Sequence, residues 1–137
     1  KVNFIPLADK VSHPNTARIV MRTDDLKMEV TGISIGGGSA EIINVDGKEV
    51  NIDGKIPTIL IKHIDKPGMI SKVVNVLSDL ELNVATMRVE REARGCEAYM
   101  VIEIDDHDEI GNAIETLNSM DCVLSVAHLD LREDAHV

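Results

Sequence analysis

Beyond Asp53-Gly54-Lys55 the chain changes its period repeatedly, and the order of those changes limits what it can become. Ile56 to His63 is apolar and β-branched, which reads as a buried strand. Asp65-Lys66-Pro67-Gly68 reads as a loop. Met69, Val73, Val76, Leu77 and Leu80 then recur at helical spacing, which predicts an amphipathic helix over residues 68–81. Asn83 to Arg91 alternates as a strand does, Ala93-Arg94-Gly95 turns, and Cys96 to Ile104 returns as a strand. Ile110, Ile114 and Leu117 place a second helix over residues 107–119, and Val123 to Leu129 is a last strand.

The order β-α-β-β-α-β is the ferredoxin-like arrangement, an α+β fold with two helices on one face of a four-stranded antiparallel sheet. What precedes it has a different grammar. Arg18 to Thr23 and Lys27 to Ile33 read as strands around an Asp24-Asp25 turn. Ala40 to Val45 and Lys48 to Ile52 are two more, joined by Asp46-Gly47, a dipeptide that suits the positive φ angles of a type I′ hairpin. Strands of this number bury little by themselves. The expected division is a mostly β fragment of a larger domain over residues 1–53 and one complete domain over residues 56–137. Residue 1 is Lys rather than Met, so the chain is expected to be a piece of something longer.

Charge follows the same division. The first 60 residues carry 7 basic and 8 acidic side chains and the rest carry 7 and 16, for a net charge of −10 over 137 residues. That balance repels phosphate backbones, and one Phe, one Tyr and no Trp leave no base-stacking platform, so no nucleic-acid partner is expected. No apolar run approaches the ~20 residues of a membrane-spanning helix. Cys96 and Cys122 stand in no metal-ligand spacing and read as buried, reduced thiols of a cytoplasmic protein. Two thiolates fall short of the three or four that an iron–sulfur cluster needs.

Several short constellations invite chemistry. Ser12-His13-Pro14-Asn15-Thr16 offers a second polar site through His13, Asn15 and Thr16, or a loop that bonds its own backbone. Adjacent Ser and His side chains lack the geometry of a nucleophile and its base. Gly36-Gly37-Gly38 lacks the Lys of a phosphate-binding loop and is followed by strand, so it reads as a bulge or a close backbone approach. In His63-Ile64-Asp65-Lys66-Pro67-Gly68-Met69-Ile70, N–H groups of Gly68, Met69 and Ile70 would open the helix and suit a carboxylate, with Asp65 for an ammonium. The plain alternative is capping, with Asp65 as N-cap and Pro67 in the first turn. Glu90, Arg91, Glu92 and Arg94 read as a solvated hairpin tip. Asp105-Asp106-His107-Asp108-Glu109 reads as acids favoured by a helix dipole. His128 and His136 read as exposed or satisfied side chains rather than ligands.

His63-x-Asp65-Lys66-Pro67-Gly68-Met69-Ile70, with Asn83 opening the next strand, resembles the ACT domain, and the element order over residues 56–130 agrees. The resemblance implies that paired domains bind a small ligand, usually an amino acid, at His63, Asp65, Gly68, Met69, Ile70 and Asn83. Serine-binding members carry Asn where this chain has Asp65. His13-Pro14-Asn15-Thr16-Ala17-Arg18-Ile19 and Thr31-Gly32-Ile33-Ser34-Ile35-Gly36-Gly37-Gly38 resemble the β chain of iron–sulfur-dependent bacterial L-serine dehydratases. More loosely they resemble the allosteric substrate-binding domain of D-3-phosphoglycerate dehydrogenase. In both families an ACT domain follows directly.

The dehydratase resemblance implies conversion of L-serine to pyruvate and ammonia. It also implies a 4Fe–4S cluster held by an α chain or catalytic domain, and a homodimer through the ACT domain. The cluster cysteines and a Ser-Ser-His-Thr motif are absent from residues 1–137, so no catalytic or metal-ligating residue is expected here and the chain is expected to be catalytically silent alone. Serine sensing in a dehydrogenase tail and ligand-free assembly are the alternatives.

Overall fold

A computed structural model describes residues 15–22, 27–130 and Arg132. His13, the Asp24-Asp25 turn and His136 lie outside them. Strands β1 (Thr16–Arg22), β2 (Lys27–Gly36), β3 (Ser39–Val45) and β4 (Lys48–Ile52) form an antiparallel meander in that order. The second sheet is assembled from β5 (Thr58–Ile64), β6 (Val84–Arg91), β7 (Glu97–Ile104) and β8 (Val123–Leu129), in the spatial order β6-β7-β5-β8. Helices α1 (Met69–Asp79) and α2 (Ile110–Asn118) complete the fold.

Local signals explain most of this. Asp46 and Gly47 adopt φ 49° and 81°, and Val45 pairs with Lys48 across them. The Asn44 side chain closes the turn by accepting the Gly47 N–H at 2.9 Å. At the triple glycine the register shifts between Ser34 and Gly36, as a bulge there requires, and Gly36 pairs with Ser39, so Gly37 and Gly38 form the hairpin tip. The register shifts a second time at Thr31/Gly32, where a Cβ on Gly32 would stand 3.3 Å from the Glu41 carbonyl.

The second sheet is covered on both faces. Ile59, Ile61, Met100 and Ile102 meet Val73 and Leu77 of α1 and Ala113 and Leu117 of α2. Alternation sends Leu60, Tyr99 and Val101 to the opposite face, where they pack on Val45, Val50 and Ile52 of the meander. The result is three layers: helices, sheet, meander. Each buried aliphatic side chain contributes about 1.5–3 kcal/mol. The meander, expected to need a missing half, thus buries one face on the domain that follows it. Ile19, Val20 and Met21 of β1 stay half exposed.

Two polar bonds tie the layers. The Tyr99 hydroxyl donates to the Asp46 carboxylate, and Lys62 Nζ lies 3.7 Å from the same carboxylate and 2.8 Å from Glu97. Burial pushes the Asp46 carboxyl up, but the Tyr99 hydroxyl, the Glu29 N–H and the Lys62 and Lys48 charges hold it below its ordinary value.

Candidate functional site

The loop between β5 and α1 is fixed from both sides. The Ile64 N–H donates to the Cys122 carbonyl at 2.9 Å and the Asp65 N–H to the Cys96 carbonyl at 2.8 Å. Cys96 itself is exposed and Cys122 partly buried, so the reading of both as buried thiols is corrected. Each sits in the short turn that precedes a strand, Cys122 packed against the edge of the core.

The capping alternative is also corrected. The N-cap of α1 is Gly68, at φ 85°, and no side chain caps the helix. That left-handed φ suits Gly, and it frees Asp65 from the helix end. The first-turn N–H groups have no intrahelical acceptor. Met69 N–H makes a long 3.3 Å turn bond to the Lys66 carbonyl. The Met69 side chain is 3% exposed and packs in the core, so only its backbone faces the loop, whereas Ile70 is 51% exposed.

These residues line a cleft of about 860 Å³ that brings together His63, Asp65, Gly68, Met69 and Ile70, with Val89, Arg91 and Arg94 across from them. His63 follows Ile59 and Ile61 on the helix-facing side of β5 and is 1% exposed. Its Nδ1 lies 3.0 Å from the Ile64 carbonyl. A carbonyl can only accept, so Nδ1 carries a proton, and whenever the ring is uncharged Nε2 is a lone-pair acceptor. Nε2 is buried and has no hydrogen-bond partner. Buried polar atoms are nearly always paired, so an unpaired one on a residue that lines a cleft marks a place for a donor.

Asp65 receives the Arg91 guanidinium at 2.9 Å. That bond, reinforced by the Arg91 charge and the Gly95 N–H, holds the carboxyl below its ordinary value against the opposing effect of burial. Arg91 and Arg94, read from sequence as a solvated tip, are thus part of the cleft. The alternation that buries Met87 and Val89 against the helices places Arg91 on the same face, and that parity was the available signal.

Asn83 stands apart. Its amide donates to Asp105 at 2.6 Å, at the end of β6 where Val84 pairs with Ile104. Arg91 pairs with Ala98 at the other end, seven residues along, or about 23 Å at strand spacing. Within one chain Asn83 does not meet the loop.

On the meander, Asn15, Thr16, Gly32 and Ser34 line a smaller cleft of about 350 Å³. The Ser34 N–H donates to the Asn15 carbonyl at 2.9 Å, which joins the two N-terminal strings. Among the described residues no group of three or more His, Cys, Asp and Glu could hold a metal ion. Asp106 is engaged by Arg132 at 3.2 Å. No described helix is long and apolar enough to cross a membrane.

Comparison with known proteins agrees with this geometry. Residues 57–122 match the ACT domain family. The chain is 38% identical over 117 residues to "Probable L-serine dehydratase, beta chain" of Bacillus subtilis, covering 85% of this chain and 53% of that protein. It is 32% identical over 94 residues to "L-serine dehydratase, beta chain" of Peptoniphilus asaccharolyticus, covering 68% and 42%. It is also 32% identical over 117 residues to "D-3-phosphoglycerate dehydrogenase" of Methanocaldococcus jannaschii, covering 85% and 22%. The chain therefore spans about half the length of the dehydratase relatives or less. Residues 57–122 are an ACT domain, and most of the chain is related to the beta chains of L-serine dehydratases.

Proposed function

We propose that this chain is the amino-acid-sensing and subunit-pairing region of an L-serine dehydratase. The observation that carries the reading is the buried, unpaired Nε2 of His63, a residue that lines the cleft. L-serine has what the cleft lacks. Its hydroxyl or ammonium donates to Nε2, its carboxylate suits the uncapped N-terminus of α1, and its ammonium suits Asp65.

Pairing follows from the free edge of β6. Val89 adjoins Ile70 and Val74 of α1, which are 51% and 39% exposed, along that edge. An antiparallel two-fold pairing with Val89 opposite its own copy sets Arg88 opposite Glu90 of the second copy, twice over. It also sets Asn83 beside Gly95 of the second copy, next to that copy's Asp65. The residue that one chain keeps remote thereby joins the site of its twin.

Dehydration of serine itself, through aminoacrylate to pyruvate and ammonia, we assign to the α chain with its 4Fe–4S cluster in the cytoplasm. The residues here do not fit such a cluster. There are two cysteines, and they precede the two different strands that flank β5. Similarity over 117 residues to the D-3-phosphoglycerate dehydrogenase of Methanocaldococcus jannaschii supports a second reading, a serine-sensing tail of that enzyme.

Isothermal titration of the chain with L-serine tests the sensor. Saturable heat at up to millimolar ligand is expected from the dimer, and its absence from a confirmed dimer leaves an assembly module. Capture of an L-serine dehydratase α chain, rather than a dehydrogenase domain, separates the two parents.

A further inference from the structure

The acid best placed to receive a ligand's ammonium is already in use. Asp65 is 19% exposed and bonded to Arg91 at 2.9 Å, inside the same cleft as His63 Nε2. Arg91 is the last residue of β6, and its side chain comes from the helix-facing side of the sheet, so the loop does not have to move for the pair to form. Arg91 also lines a second groove, of about 460 Å³, together with Asp46, Lys48, Glu49, Glu90 and Glu92. A guanidinium released from Asp65 has acids in excess there, with Glu49 on β4, Glu90 on β6 and Glu92 in the β6–β7 turn against the one other cation, Lys48.

We propose that Arg91 is an internal stand-in for the ligand's ammonium: it fills Asp65 in the free chain and an amino acid binds by displacing it. The proposal rests on the sensor reading above. It makes Arg91 a determinant of affinity by competition rather than by contact. Removing it should therefore strengthen amino-acid binding, which is the opposite of what removal of a ligand contact does. The Arg91 side chain is 53% exposed, and an exposed pair of this kind is worth a factor of about two to five.

Titration of L-serine into the dimeric wild type, R91Q and D65N tests this. R91Q is expected to bind about two- to fivefold more tightly than wild type. 3-Hydroxypropionate, which has only hydrogen where serine has its ammonium, offers Asp65 no donor at that carbon and should bind both alike. D65N removes the competition together with the charged acceptor, so R91Q added to D65N should change nothing. R91Q that binds serine more weakly, or equally, overturns the stand-in while leaving the sensor intact. Wild type and R91Q that both bind no amino acid overturn the sensor and the stand-in together.

Discussion

The hydroxyl of Tyr99, at the centre of the second sheet, donates its hydrogen bond to the Asp46 carboxylate at the hairpin tip of the first. The two residues are 53 positions apart, and theirs is a polar bond inside an otherwise aliphatic layer. Tyr99→Phe keeps the ring and removes the donor. A hydrogen bond to a charged group is worth about 1.5–3 kcal/mol, so urea unfolding should show a loss of that size. A loss below about 0.5 kcal/mol would mean that the Glu29 N–H and Lys62 alone satisfy Asp46.

The same carboxylate gives the layer contact a pH dependence. Asp46 is held below its ordinary 3.8 in the folded chain. Its contribution is present above the unfolded value and lost as pH falls through the lower folded value. Asp46→Asn removes that contribution. Unfolding free energies of wild type and D46N should therefore differ at about pH 6 and converge as the pH falls below the folded value, which lies under 3.8. A difference that stays constant across the range would place the titration elsewhere.

Residues 56–130 were legible because their signals are local. The continuous apolar run at Ile59–Ile61 is a strand buried on both faces, and Met69, Val73 and Leu77 at helical spacing are the buried stripe of α1. The face beneath the meander was not legible. Alternation says that Leu60, Tyr99 and Val101 share a side, but no local period says that Val45, Val50 and Ile52 cover it. The cleft divides the same way. Proximity of His63, Asp65 and Gly68 follows from a single loop, whereas Arg91 reaches Asp65 across 26 positions and only through the register of β6, β7 and β5. Asp65 was readable as a cap because an acid before a helix usually is one, and Gly68 takes that place because it adopts the left-handed conformation.

His63 should behave as a residue kept for binding. His63→Leu removes the acceptor and fills much of the same space. The bond from Nδ1 to the Ile64 carbonyl is lost, worth about 1 kcal/mol, but the unpaired Nε2 goes with it, and an unpaired buried group costs about 1–3 kcal/mol. The balance runs from neutral to a gain of about 2 kcal/mol, so thermal unfolding should show no loss of stability while serine binding is abolished. Ile61→Ala on the same face of β5 should cost about 2–5 kcal/mol by comparison. A destabilisation of 2 kcal/mol or more in H63L would mean that Nε2 is satisfied without ligand.

The β6 pairing can be tested by charge. Arg88 and Glu90 are both exposed and lie on the side of β6 that faces the meander, opposite Val101 and Tyr99 of β7. With Val89 on the two-fold axis, each interface holds two Arg88–Glu90 contacts. Arg88→Glu turns both from attraction to repulsion, a swing of about 1–4 kcal/mol in all. Sedimentation should show dimer dissociation strengthened by about fivefold or more. Glu90→Arg on the same chain restores opposite signs in this register and should recover the wild-type dimer. A register shifted by one residue along each strand would instead set Arg88 against Arg88. R88E would then leave a like-charged pair in place, and the swap would rescue nothing. Recovery in the double variant therefore reports the register itself, and with it the delivery of Asn83 to the neighbouring cleft.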